Sequence, residues 1–368
     1  MVDEPLAVIA ADGPSPKKTR WAPTYLENWS VGEPLAGDRR RTACPRLDFQ
    51  TAEHRYWLSG DRANRDISRF GNALRTRVGV AVIRASKGRQ DALSIATHYD
   101  QLDPFYRTLW GEHLHHGLWL KRDEDAAQAQ LNLVELVVEH LALSRPGMAV
   151  CDVGCGYGGT SRHLSRSWGA RATGLTISRA QYDYARAHAN GDAGTQYLLR
   201  SWLDNGLPDA SFDGVVAIES IQHIDDKARA FREAARVLKP GGRLVMSDWV
   251  TSVAPRRWQA RTLLEPICRD SRVPHLGSGE EYARLIEASG FVVTKVEDLT
   301  HKVRRTWTAA IGRVAAALLS DREAWRYMRD PRSQDRRMGL VILRIPIAYR
   351  LGCMKYALIA AERPAVGS

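Results

Sequence analysis

The densest chemical signal in the 368-residue chain is the run Val150-Cys151-Asp152-Val153-Gly154-Cys155-Gly156-Tyr157-Gly158-Gly159-Thr160. Its glycines permit positive φ and let a ligand approach the backbone without meeting a Cβ. An acidic residue just before them suits a cationic or amine-bearing ligand, since Asp152 would repel a pyrophosphate. The spacing G-x-G-x-G-G is not the G-x-G-x-x-G of dinucleotide sites. The strand some 20 residues on ends in Gly174-Leu175-Thr176-Ile177-Ser178, with no acid for a ribose, so a nicotinamide dehydrogenase is disfavoured. A second group of residues could handle protons: His115, His116, Glu219 and His223, histidine being the usual base near neutral pH. The plainer reading of His115 and His116 is a hydrogen bond at a helix end. His223 ends an apolar strand and faces either a pocket or the next helix, and Glu219 reads as a ligand-side group before a base. His113 and His115 hint at a metal pair, but no third ligand lies at matching spacing, so no metal is expected. Tyr157, Cys151 and Cys155 read as packing residues.

The elements that must position these groups are legible as pattern. The glycine run follows a strand, Ala149 to Val153, and opens a helix, Thr160 to Trp168. Strands and helices then alternate: Ala170 to Thr176, Arg179 to Asn190, Thr195 to Leu199, Phe212 to Ile218, Asp226 to Val237 and Gly242 to Val250. That alternation predicts an α/β fold, a doubly wound and mostly parallel sheet with helices on both faces. Ligands of such sheets bind at the carboxyl ends of strands where the order reverses. Before the sheet come helices at Ile95 to Leu109 and at Ala126 to Leu143, the latter with Leu131, Val134, Val138 and Leu141 at helical spacing. After it come a helix (Gly279 to Ser289), a strand (Phe291 to Glu297) and a last strand (Met354 to Ala361). More than fifty residues of helical pattern separate those two strands, which predicts a lid over a site. Residues 1–50 are rich in Pro, Gly and Arg, and residues 51–90 turn helical. The expected organisation is an N-terminal extension (1–90), a core (91–297), a helical lid insertion (298–352) and a last core strand with tail (353–368).

Composition bounds the class. The chain is 44% hydrophobic and 26% charged, as in an ordinary globular protein. No apolar run reaches the roughly 20 residues of a membrane span. Asp3 and Glu4 at the start predict no secretory signal, and five scattered cysteines fit a reducing, cytoplasmic setting. The formal charge is +11, yet residues 91–251 are net acidic and the basic residues are dispersed along helical stretches. Dispersed charge argues against nucleic acid as a partner.

These residues resemble a class I S-adenosylmethionine-dependent methyltransferase. D-V-G-C-G-Y-G-G is followed by G-L-T-I-S-x-x-Q, then by Leu207-Pro208-Asp209-Ala210-Ser211-Phe212-Asp213, Glu219-Ser220-Ile221-Gln222-His223-Ile224 and Leu238-Lys239-Pro240-Gly241-Gly242, in the family's order and separations over residues 90–300. His98-Tyr99-Asp100, the Trp110 to Trp119 segment and Gly290-Phe291 are similar to the gamma-tocopherol methyltransferase group. The G-L-T-I-S-x-x-Q run is shared with cyclopropane-fatty-acid synthases and sarcosine/dimethylglycine methyltransferases. The resemblance implies a seven-stranded Rossmann-like sheet and a set of roles. Asp152 with Gly154, Cys155, Gly156 and Gly158 would hold the methionine end of S-adenosylmethionine, and Thr176 and Gln181 would reach the ribose. Trp202 would pack beside adenine, with Ser201, where the family commonly has Asp, accepting the adenine amine. Glu219 and His223 would lie near the methyl group, and Tyr99 would close over the sulfonium.

The implied reaction is an in-line methyl transfer to a small, largely apolar acceptor, terpenoid or polycyclic, of the kind found in secondary metabolism. Alignment carries most of the work, with a base for the acceptor's proton. Trp110, His116, Arg304, Arg305 and Trp307 are the expected substrate contacts. Arg304, Arg305, Trp307 and Tyr349 read either as surface charge and packing or, for the arginines, as a grip on an anionic group. The alternative is a C-methyltransferase, possibly with cyclisation, acting on a prenyl diphosphate, with Mg2+ required only in that case. Less favoured are an RNA methyltransferase and a cofactor-binding module without chemistry. The N-terminal extension could link subunits in a homo-oligomer.

Overall fold

The structure, a computed structural model, describes residues 82–85, 91–189, 191–320 and 338–365. The expectations for residues 1–81, including any oligomer contact made there, lie outside these residues.

A seven-stranded sheet carries the site. Its strands are β2 (Ala149–Val153), β3 (Arg171–Thr176), β4 (Thr195–Leu199), β5 (Phe212–Ile218), β6 (Leu238–Thr251), β8 (Val292–Asp298) and β9 (Met354–Glu362), in the order β4-β3-β2-β5-β6-β9-β8. The first five run parallel, while β9 lies antiparallel to both β6 and β8. The order reverses beside β2: the chain leaves it for β3 on one side and later returns to β5 on the other. The carboxyl ends of β2, β3 and β5 therefore splay around one crevice, as the alternating pattern predicts. Strand β2 is buried along its whole length, which explains its unbroken apolar texture apart from Asp152.

Helices close both faces. They are α1 (Ala92–Trp110), α2 (Ala126–Leu141), α3 (Gly159–Trp168), α4 (Arg179–Ala187) and α5 (Lys227–Val237). Asp91, Asp125 and Ser178 each accept a backbone N–H at a helix start, so the chain enters α1, α2 and α4 at defined points. Ser178 does more, donating from Oγ to Asp100 at 2.6 Å and tying α1 to the start of α4. One face of α2 is buried through Leu133, Val134, Val137, Val138 and Leu141.

Two regions differ from the sequence expectation. Ile83–Arg84, within the stretch expected to be helical, is a short strand (β1) paired antiparallel with His275–Leu276 (β7). Residues 257–270, for which the sequence predicts no element, form a helix (α6) with a π-helical middle at Ala260–Leu264. Its period is blurred because one turn is wider than the other two.

The segment between β8 and β9 contains α7's successors: after α7 (Gly279–Glu287) and β8 come α8 (Thr300–Val303), α9 (Arg305–Ser320) and α10 (Met338–Arg350). Val303, Trp307, Val341, Ile345, Ala348 and Tyr349 are buried in the same apolar cluster as α2, β6 and β9. These helices thus pack into the core, and Trp307 reaches the site described below. None of the helices among the described residues is long and apolar enough to cross a membrane.

Candidate active site

The glycine turn fits its place sterically. Gly154 has φ +70°, and a Cβ there would stand 2.5 Å from Ser220 Cβ. Beyond the turn lies a cavity of about 340 Å³ at the ends of β2, β3 and β5. Tyr99, His115, Asp152, Gly154, Cys155, Gly156, Thr176, Gln181, Ser201, Trp202, Glu219 and His223 all line it. Gly158 does not. It caps α3 in the left-handed conformation, with Tyr197 packed where its Cβ would be, so its glycine serves the turn itself.

The cavity wall is strongly acidic. Asp91, Glu112, Asp152, Glu219, Asp225 and Asp226 face it against a single guanidinium, Arg200. Burial pushes the Asp152 carboxyl up to about 6, although Ser161, donating to Oδ2 at 2.6 Å, pulls the other way. A positively charged ligand would relieve that penalty, whereas a polyphosphate would add to it. The polar floor is organised by short contacts: Thr176 Oγ1 donates to Gln181 Oε1 at 2.8 Å, and Trp202 Nε1 donates to the Ala230 carbonyl at 3.0 Å. Ser201 Oγ accepts from Leu203 N. Ser220 Oγ, at the glycine turn, is buried without a hydrogen-bond partner among the described residues. A cationic sulfur nucleoside with an amino-acid end fits this donor set: a buried carboxylate, a glycine cradle, an unmet hydroxyl and a buried indole.

A second cavity, of about 60 Å³, adjoins the first and shares Tyr99, Leu114, Glu219 and His223 with it. Tyr106, Trp110, His116, Gln222, Trp249, Ser271 and Trp307 complete its wall. No lysine or arginine lines it among the described residues.

Glu219 sits at the junction. It has φ +50°, an uncommon conformation for a residue with a Cβ, held by donation from its N–H to the Ser247 carbonyl at 2.8 Å. His116 N–H (2.5 Å), His116 Nδ1–H (2.9 Å) and Tyr356 O–H (2.9 Å) all donate to Oε1. Oε2 receives no hydrogen bond among the described residues. Burial alone would raise the Glu219 pKa, but the facing His116, with its N–H groups, and His115 hold it below the usual carboxylate range. A charged oxygen is therefore presented where the cavities meet.

The histidines are more committed than their types suggest. Trp307 Nε1 donates to His116 Nε2 at 2.7 Å, which places the His116 proton on Nδ1, toward Glu219; Tyr349 O–H lies 3.2 Å from the same Nε2. Both ring nitrogens are engaged, so His116 positions Glu219 and is not an available base. His115 gives Nδ1–H to the His116 carbonyl at 2.8 Å and has Nε2 against His113 Nδ1 at 3.2 Å. Burial lowers its pKa. His223 donates from Nδ1 to the Arg272 carbonyl at 3.0 Å and accepts at Nε2 from Tyr99 O–H, also at 3.0 Å. Burial pushes it down to about 4, and burial likewise raises Tyr99, so the pair is neutral with its proton on the tyrosine.

Among the expected substrate contacts, Trp110, His116 and Trp307 line the inner cavity. Arg304 and Arg305 are exposed and line neither cavity. Arg305 lies over the Trp119 ring, 4.2 Å from its centroid, and donates to the Lys121 and Arg122 carbonyls. The Arg305 guanidinium is thus engaged within its own fold. Gln222, Trp249, Ser271 and Tyr356 are site residues that pattern reading misses. Gln222 sits in the Glu219 to Ile224 run with no role read for it, nothing in the local sequence marks the other three, and only the strand ends and the α6–β7 turn bring them together.

Comparison with known proteins agrees with this geometry. Residues 86–326 match the family model for mycolic acid cyclopropane synthetase. The chain is 28% identical over 293 residues to a probable chloroplastic tocopherol O-methyltransferase of Oryza sativa subsp. japonica, covering 73% of this chain and 78% of the relative. It is 32% identical over 229 residues to the 27-O-demethylrifamycin SV methyltransferase of Amycolatopsis mediterranei, covering 60% and 81% respectively. The structure of the cyclopropane synthase MmaA2 from Mycobacterium tuberculosis shares the fold, with a TM-score of 0.64 at 21% identity over 74% of this chain and 98% of that one.

Proposed function

The chain belongs to the mycolic acid cyclopropane synthetase family and is an S-adenosylmethionine-dependent methyltransferase of small molecules; on that premise we propose that its acceptor is a largely apolar ring or terpenoid compound whose reacting end enters the aromatic inner cavity. The observation that carries this reading is the pair of cavities meeting at Tyr99, Leu114, Glu219 and His223, one acidic and the other aromatic.

When bound, S-adenosylmethionine supplies an electrophilic methyl carbon on a cationic sulfur. The chain's own residues do the rest. Asp152 and the backbone of Gly154 and Gly156 bind the amino-acid end, Thr176 and Gln181 the ribose, Trp202 and Ser201 the adenine. Tyr99, pinned to His223, covers the junction and keeps water out. Trp110, Trp249 and Trp307 hold the acceptor by apolar contact and limit its approach to one direction. Glu219 Oε2 orients an acceptor hydroxyl and takes its proton. A carboxylate of low pKa is strong enough, because a hydroxyl oxygen gaining a third bond to the methyl carbon becomes far more acidic than the free hydroxyl. His116, Trp307 and Tyr349 keep that carboxylate aimed. The prenyl diphosphate alternative would need permanent cations around the acceptor, and no lysine or arginine lines the inner cavity among the described residues.

The test is mass-spectrometric detection of methyl transfer across a panel of phenols, terpenoid alcohols and prenyl diphosphates, beside calorimetry with S-adenosylhomocysteine. Products from the neutral acceptors support the reading. Products from diphosphates alone, or no heat with the nucleoside, overturn it.

A further inference from the structure

Three residues in the wall of the inner cavity each carry a polar atom that the reaction does not use. Gln222, Trp249 and Ser271 line it but not the larger cavity. Gln222 Oε1, Trp249 Nε1 and Ser271 Oγ are each buried with no hydrogen-bond partner among the described residues. Their side chains are 3%, 5% and 5% exposed. Buried polar atoms are almost always paired, because an unmet one forfeits its hydration for nothing. Three around one small cavity point to a ligand that meets them.

Their chemistry restricts that ligand. The orientation of the Gln222 amide is settled by its neighbours. Nε2 lies 3.5 Å from the Glu219 carbonyl, which can only accept, and 3.4 Å from His223 Nε2, whose lone pair takes the Tyr99 O–H. Oε1 is therefore the free end and needs a donor, while Trp249 Nε1 can only donate and needs an acceptor. The two residues are held together from below: Asp248 accepts from the backbone N–H of Gln222 and of Trp249, each at 2.8 Å. A carboxylate or phosphate would leave Gln222 Oε1 facing an anion, with no cation in the cavity wall and Glu219 alongside. An ammonium would be set against the Trp249 N–H. A ketone would meet Trp249 and leave Gln222 unmet. A hydroxyl satisfies both, and Ser271 can give or receive.

We propose that Gln222, Trp249 and Ser271 form a recognition subsite for a second, non-reacting hydroxyl of the acceptor. The acceptor would be a neutral diol, with one nucleophilic position at Glu219 and a hydroxyl set deeper in the cavity. The proposal rests on the inner cavity being the acceptor site. A cavity built to bond a hydroxyl rejects the analogue lacking it strongly, because its own polar groups are then left bare.

The experiment uses the full chain saturated with S-adenosylhomocysteine, titrated with resorcinol, toluene or benzoate. Resorcinol is expected to bind at least tenfold tighter than the other two. Gln222→Met is expected to weaken resorcinol about tenfold and leave toluene and the nucleoside unchanged, and Trp249→Phe is expected to weaken resorcinol more than it weakens toluene. Ser271→Ala should weaken resorcinol by a smaller factor. Gln222→Met and Ser271→Ala should also leave the melting temperature of the ligand-free protein unchanged or raised, which a merely structural role would not do. Resorcinol binding no tighter than toluene, absent binding included, overturns the proposal. So does a wild-type resorcinol-to-toluene ratio in the Gln222→Met and Trp249→Phe proteins, which would mean that ordered water alone meets these atoms. Loss of the S-adenosylhomocysteine heat in the wild-type protein refutes the cofactor reading instead, and the two failures are read from separate titrations.

Discussion

Asp152 offers the sharpest test, because one carboxyl should control both stability and cofactor affinity in opposite senses. Burial moves it from the usual 3.8 up to about 6. At about 1.4 kcal/mol per tenfold, that difference is about 3 kcal/mol held against the ligand-free fold whenever the group is ionised. The sign follows from proton binding. Between pH 3.8 and 6 the folded protein holds this proton more tightly than the unfolded chain does. The contribution is therefore favourable at low pH, is lost as pH rises through that window, and is flat above it. A ligand with an ammonium group needs the ionised form. Its affinity should weaken about tenfold on going from pH 7.5 to pH 5, with the bend near 6. His223, at about 4, stays neutral across that range and cannot supply the bend. In Asp152→Asn the amide still accepts from Ser161 but carries no charge. The variant should bind S-adenosylhomocysteine roughly 100-fold more weakly at pH 7.5, with a flat profile from pH 5 to 7.5, because one partner of a buried ion pair is gone. Its ligand-free form should be more stable at pH 7.5 by up to about 3 kcal/mol. Calorimetry across pH and thermal melts read both effects. Wild-type affinity in the Asn variant, or a bend that persists in it, would refute the reasoning.

Three further outcomes follow from the same geometry. Gly154→Ala places a Cβ 2.5 Å from Ser220 Cβ at a φ of +70° and should cost about 1–3 kcal/mol in denaturant melts and abolish the nucleoside heat; retained binding would show that the turn is not a cradle. Glu219→Gln keeps the acceptor for the His116 N–H but removes the charge at the junction, so kcat should fall roughly 100- to 1000-fold in single-turnover assays, whereas a loss below threefold would sink its assigned role. The double variant Arg304→Ala, Arg305→Ala should leave the acceptor KM within about twofold, since Arg305 is spent on Trp119 and two carbonyls; a large rise in KM would restore the anion grip.

The local signals carried far. Glycines after an apolar strand, strands alternating with amphipathic helices, and an acid before the turn are enough to place β2 through β6 and the larger cavity. Each depends on backbone rules that act over a few residues. Asp152, Thr176, Gln181 and Trp202, at strand ends or a helix start, and Tyr99, within α1, all line one crevice. Gly158 is the exception inside the motif: the same freedom of φ that marks a ligand cradle also marks a helix cap, and only Tyr197, packed against it, tells them apart.

The inner cavity has no such signature. Its walls come from α1, the turn before α2, the ends of β5 and β6, the turn after α6, and α9. No spacing links Trp110 to Gln222 or Trp249 to Ser271. The same holds for protonation. Sequence can identify His116 and His223 as titratable, but burial and the partners on each ring nitrogen decide that neither is a free base, while Glu219 keeps an open oxygen. What the amino-acid order determined alone was the mostly parallel sheet and the glycine turn with its acid, because those arise from short-range backbone geometry. What only the tertiary structure decided was the second cavity and its proton inventory, because desolvation and hydrogen bonding depend on neighbours that the chain brings from a hundred residues away.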